Sequence, residues 1–194
     1  RIRAFQIGHT LTFDTDSYRF SYPEIDESAR IIKHAAIRQV LEDGITKLKI
    51  YAAKDGKEKL TPDEFEAFKS YMTQSGAAGT HFDFVPPADV DILTLEYTVY
   101  RDPQVLDSEG NLLSGSGKPV EDAVRNYVDS IRYSGVFSRT KSIDAIQSAA
   151  GVMDAVLLSV RLNEVPVDSL SFKSESGFFS AKTVSVTYPP YHDN

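Results

Sequence analysis

The chain contains no cysteine. That removes thiol catalysis, thiolate metal sites and disulfides from consideration, although it does not by itself fix a compartment. No apolar run approaches the roughly 18 residues of a membrane-spanning helix, and no signal peptide is visible. Basic residues are outnumbered, 21 Lys and Arg against 28 Asp and Glu, for a formal charge of −7, and none cluster in a block. Nucleic-acid binding rests on phosphate neutralisation, so this balance argues against it. What remains is a chain of 194 residues, 41% hydrophobic and 25% charged. That length buries roughly 70% of the unfolded surface, enough for one ordinary domain or two small ones without a metal or disulfide staple.

The most ordered pattern lies in residues 118–162. Val120, Ala123, Val124, Tyr127, Val128 and Ile131 form one apolar stripe at helical spacing. Pro119 suits a first helical position, and Glu121 and Asp122 complement the positive end of the helix dipole. A turn containing Gly135 leads to a shorter helix with Ile143, Ile146 and Ala150 on one face and Ser138 or Thr140 as cap. Gly151 supplies a left-handed stop. A strand then points Val156, Leu158, Val160 and Leu162 inward.

Upstream, residues 2–22 alternate loosely and predict two short strands around the Asp-rich turn at residues 14–17. The opening at Arg1, directly in a strand-like segment, predicts further residues before it. Residues 29–40 suit a short helix or, with β-branched Ile31, Ile32 and Ile37, a strand. The strand is preferred, turning at Glu42, Asp43 and Gly44 into a second strand with Leu48, Ile50 and Ala52 on one face. Thr61, Pro62 and Glu64 form a capping box for a helix that buries Phe65, Phe68 and Met72 and stops before Gly76. Residues 81–85 and 91–100 read as strands, the second with Leu93, Leu95, Tyr97 and Val99 inward and Thr94, Glu96 and Thr98 on a wetter face. Residues 102–118 form a loop or small hairpin, and residues 183–188 a last strand. The fold class is α+β, as two small modules of mixed sheets with helices packed on one face. The divisions expected are residues 1–28 (an N-terminal β segment ending a truncated region), 29–88 (a middle module) and 89–194 (a C-terminal module).

Chemistry is sparse. Asp14 and Asp16, two apart on a strand, would share one face as a magnesium–nucleotide site requires. The competing reading is an Asp-rich hairpin turn. His81 and Asp83 could offer two metal ligands, but His9, His34 and His192 are scattered. The stretch Ser114, Gly115, Ser116, Gly117, Lys118 lacks phosphate-loop spacing and runs into Pro119. Asp107, Glu109 and Asn111 miss the acid spacing of a calcium loop, and no Gly-x-Ser-x-Gly elbow occurs. Tyr188 and Tyr191, beside prolines at the end of the chain, read as a docking surface. No catalytic, cofactor-binding or metal-binding residues are assigned and no cofactor is expected.

One resemblance adds to this. Tyr133, Ser134, Gly135, Val136 and Phe137 close the first helix, Ile143 to Gln147 (IDAIQ) form the second, and Gly151 and Val152 open the strand. In this order the region resembles the C-terminal part of the baseplate J-like proteins of contractile phage tails, in phages and prophages. The likeness is best over residues 100–188 and extends at the level of pattern from about residue 30. It implies a structural subunit of a phage or prophage tail baseplate, not an enzyme, residing in the virion after assembly in the bacterial cytoplasm. Its partners would be other baseplate and tail proteins, with self-association in a ring, and no nucleic acid, membrane or small-molecule substrate. Two alternatives stay open: a nucleotidyltransferase-like protein binding magnesium and nucleotide through Asp14 and Asp16, and an adaptor docking through its Tyr/Pro tail.

Overall fold

The apolar positions sort into two separate cores in the computed structural model, which describes residues 1–191. The chain divides accordingly into two compact units, Arg1–Asp89 and Val90–Asn194. Both combine mixed sheets with helices, an α+β fold.

The first unit is built on the hairpin of β3 (His34–Glu42) and β4 (Ile45–Ala53). Its two-residue loop takes φ of 53° at Asp43 and 75° at Gly44, the left-handed pair that matches the twist of paired strands. Helix α1 (Pro62–Ser75) opens with the full capping box, in which Thr61 accepts from the Glu64 amide and Glu64 accepts from the Thr61 amide. It buries Phe68, Tyr71 and Met72. Strand β5 (Phe82–Phe84) then pairs parallel to β4, giving the order β3-β4-β5. Phe82 lies opposite Leu48 and Phe84 opposite Ile50, so one face of the sheet carries the aromatic side of this core.

Residues 1–28, which the sequence pattern sets apart, join the same core. Ile2–Ala4 is a single 3-10 turn and not a strand. The reason is that this turn aligns residues three apart, bringing Ile2 and Phe5 to one side, where both are buried. Phe5 meets Phe68 and Tyr71 at 5.8 and 5.5 Å between ring centroids, and Tyr22 stacks on Tyr71 at 5.6 Å. Gln6, 1% exposed, fastens the crossing by donating to the Glu24 carbonyl and accepting from the Asp26 amide. The Asp-rich turn does join two short strands, β1 (Thr12–Asp14) and β2 (Arg19–Ser21).

The second unit centres on β6 (Asp91–Arg101), whose Leu93, Leu95, Tyr97 and Val99 are at most 1% exposed. Burying each such side chain stabilises by about 1.5–3 kcal/mol. The chain continues through a bridged loop, Leu106 against Leu112, into α2 (Pro119–Ser130), which buries Val120, Val124 and Val128. Between α2 and α3 (Arg139–Gln147) lies a strand the sequence pattern does not announce, β7 (Val136–Ser138). It pairs antiparallel with β10 (Ser171–Lys173) and places Phe137 against Phe172 and Phe179. Ser138 then caps α3 by accepting from the Lys141 amide. The main sheet has the order β11-β6-β8-β9, where β8 is Val152–Leu162, β9 Val165–Pro166 and β11 Phe179–Thr187. β11 runs parallel to β6 and β8 antiparallel. Both longer helices of this unit pack on its one face, α2 against β11 and α3 against β8.

β8 departs from simple alternation. Val156 and Leu158, expected inward, are 43% and 59% exposed, while Ala155 and Val160 are buried. Glu96 pairs with Ser159 and Tyr97 with Leu157, which leaves Leu158 as an extra residue, and Met153 is a second one between Asp154 and Val152. A bulge shifts the side-chain phase by one, so residues on either side of it answer to opposite parities.

Candidate functional site

Asp14 is the last residue of β1, and Asp16 lies in the turn beyond it, so the two do not share a strand face. The Asp14 carboxylate accepts from the Asp16 amide at 3.0 Å and from the Ser17 hydroxyl at 2.6 Å. The Ser17 bond, then the Asp16 amide, hold its pKa below the usual carboxylate value. This is the hydrogen-bonded Asp turn that short polar side chains form with the backbone.

Asp83, Asp107 and Lys118 are likewise engaged locally. Asp83 pairs with Lys49, its cross-strand neighbour, at 3.5 Å. Asp107 accepts from the amides of Glu109 and Asn111 and from the Asn111 side chain, closing its own turn. Lys118 pairs with Glu121 at 3.0 Å. Among the described residues, no three His, Asp or Glu side chains gather as metal ligands. His192 lies outside the described residues.

The most concentrated polar cluster was invisible in sequence because its members are far apart in it. Asp91, 5% exposed, receives the hydroxyl of Ser174 at 2.7 Å, the amides of Glu175 and Ser176 at 2.7 and 3.1 Å, and the Asn163 side-chain amide at 2.7 Å. Burial pushes the carboxyl upward, but the bonds from Ser174 and Asn163 and the two amides outweigh it and leave its pKa below the ordinary value. Asn163 in turn accepts from the Ile92 amide. The cluster ties the start of β6 to the β8–β9 turn and to residues 174–177. Every Asp91 contact is internal, and it acts as a clasp.

Open clefts lie in both units. One, of about 460 Å³, is lined chiefly by Ile2, Ala35, Ile37, Leu48, Met72 and Phe82, on the α1 side of the hairpin. On the same face of β3, Ile37 at its rim and Leu41 beyond it are 54% and 73% exposed. Another, of about 650 Å³, lies between the end of α2 and α3 and mixes Ile131 and Val136 with Arg132, Lys141 and Asp144.

The pair of C-terminal tyrosines separates. Tyr188 belongs to the core, 9% exposed, and only Tyr191 is on the surface, edge-on to Tyr100. The tail residues His192, Asp193 and Asn194 lie outside the described residues. The sequence matches no protein-family model and no curated protein.

Proposed function

We propose that the chain is a structural subunit of a phage or prophage tail baseplate, working through protein–protein assembly in the virion. The observation that carries the reading is strand β3, where Ile37 and Leu41 stand exposed on the sheet face that carries an apolar cleft. Clustered exposed apolar surface is what a subunit that packs against neighbours presents. The likeness of residues 100–188 to baseplate J-like proteins supplies the kind of assembly. The polar candidates add nothing toward chemistry, since Asp14, Asp91 and Asp107 all engage their own turns or neighbouring loops. The magnesium–nucleotide alternative draws no support from a turn in which Asp14 is already held by two donors.

Tail particles purified from an induced lysogen, dissociated and examined by mass spectrometry, test this. The chain is expected among the baseplate components in fixed ratio to the others. Complete, infectious tails from a strain in which its gene is deleted would end the reading.

A further inference from the structure

Strand β3 is an edge. Its partner on one side is β4, and none of the described residues pairs with it on the other. The hairpin loop is a two-residue turn, which closes on a hydrogen-bonded pair, here Glu42 and Ile45. Along an antiparallel pair such positions alternate. Val40, Arg38 and Ala36 therefore direct their peptide groups at β4, and Leu41, Gln39, Ile37 and Ala35 direct theirs away from it. Folded proteins usually blunt an edge of this length with proline, a bulge or inward-pointing charge. The nine residues of β3 contain no proline, and the register with β4 runs without a break.

From this edge we infer that β3 pairs antiparallel with β3 of a second copy of this chain, about a two-fold axis at Gln39. Pairing about any residue of β3 is two-fold symmetric, and the side chains brought opposite one another single out this register. It sets Ile37 opposite Leu41 of the other copy, twice, and so covers two of the most exposed apolar side chains of the unit, 54% and 73% exposed. Gln39 meets Gln39 as a hydrogen-bonded pair, and all four residues lie on one face of the sheet. Centring the pair on Arg38 would instead put two guanidinium groups opposite one another. On the other face, Arg38 lies over its own Tyr51, with its guanidinium 5.7 Å from the ring centroid. In the Gln39 register it faces Val40 of the second copy, with that copy's Glu42 and Arg38 as its two diagonal neighbours rather than a guanidinium directly opposite. Two three-stranded sheets become one of six, and the two β3 edges are gone.

The inference rests on the assembly reading only in treating this surface as one for protein contact, and it names the partner. Its test uses the absence of cysteine. In a hydrogen-bonded antiparallel pair the Cα atoms stand about 5.5 Å apart, within disulfide reach. Gln39→Cys is expected to oxidise to a covalent dimer. Ile37→Cys alone is not, whereas Ile37→Cys with Leu41→Cys is. Light scattering of the unmodified chain should give twice its 21.5 kDa mass. Leu41→Lys, at an exposed position, should weaken the dimer roughly tenfold or more with unchanged thermal unfolding of the monomer. A monomer at every concentration, equal crosslinking of Ile37→Cys and Gln39→Cys, or a dimer indifferent to Leu41→Lys would overturn the pairing. None of those results bears on whether the chain is found in tails, and its absence from tails would leave the pairing standing.

Discussion

Gly110 and the ring of Tyr188 occupy one small space: a Cβ built on Gly110 would stand 2.2 Å from Tyr188 Cζ. Gly110 also holds φ at +78°, where a side chain is strained whatever the room. Gly110→Ala is therefore expected to cost about 2–4 kcal/mol, combining left-handed strain with overpacking. Urea unfolding of the second unit's core measures it.

The Tyr188 hydroxyl beside that glycine is buried without a hydrogen-bond partner among the described residues, and burial pushes its pKa up to about 12. An unsatisfied buried hydroxyl costs free energy that a ring without it does not. Tyr188→Phe is expected to leave stability unchanged or raise it by about 1 kcal/mol. A loss of more than that in thermal unfolding would mean the hydroxyl is bonded.

Asp91 carries an acid-dependence. Its folded pKa lies below the ordinary carboxylate value, so its contribution is fully present above the unfolded pKa, about 4. It is lost as pH falls from there through the folded value. Asp91→Asn should cost about 2–3 kcal/mol at neutral pH, since charged hydrogen bonds and their donors are left unmatched. The variant should also flatten the stability profile below about pH 4 relative to the unmodified chain. Denaturant titrations across pH read both.

The bulges in β8 assign opposite fates to neighbours. Leu158→Lys is expected within about 0.5 kcal/mol of the unmodified chain, as an exposed substitution. Val160→Lys, two residues on and 2% exposed, should unfold the second unit or cost more than about 4 kcal/mol. Equal effects would place both on one face.

Helix α1 offers a local check. Thr61→Ala removes one half of its capping box and should cost about 1 kcal/mol, read by far-ultraviolet circular dichroism during urea unfolding.

Much of this architecture was legible in sequence where the signal is local. The Thr61 cap, the stripe Val120, Val124 and Val128, and the alternation Leu93, Leu95, Tyr97 and Val99 all emerge as expected. So does the turn at Asp43 and Gly44, because two left-handed residues suit that loop. What was not legible depends on distant partners. β7 exists because residues 171–173 pair with it, and Leu158 is turned outward by its register with β6. Asp91 looks like an ordinary strand start until Ser174, 83 residues away, donates to it. The Asp-rich hairpin turn at residues 14–17 emerges as read, and the two-residue spacing of Asp14 and Asp16 gives no shared face because β1 stops at Asp14. Tyr188, read as surface, is drawn inward by the space Gly110 leaves for its ring.

The central claim is that this chain acts by assembling into a tail baseplate. Immunogold labelling of purified tail particles in negative stain, with antibody raised to this chain, tests it most directly. The account predicts gold at the baseplate end of the tail, on most particles and absent from those of a deletion strain. Complete particles without label, with the protein confined to the unassembled fraction, would contradict it.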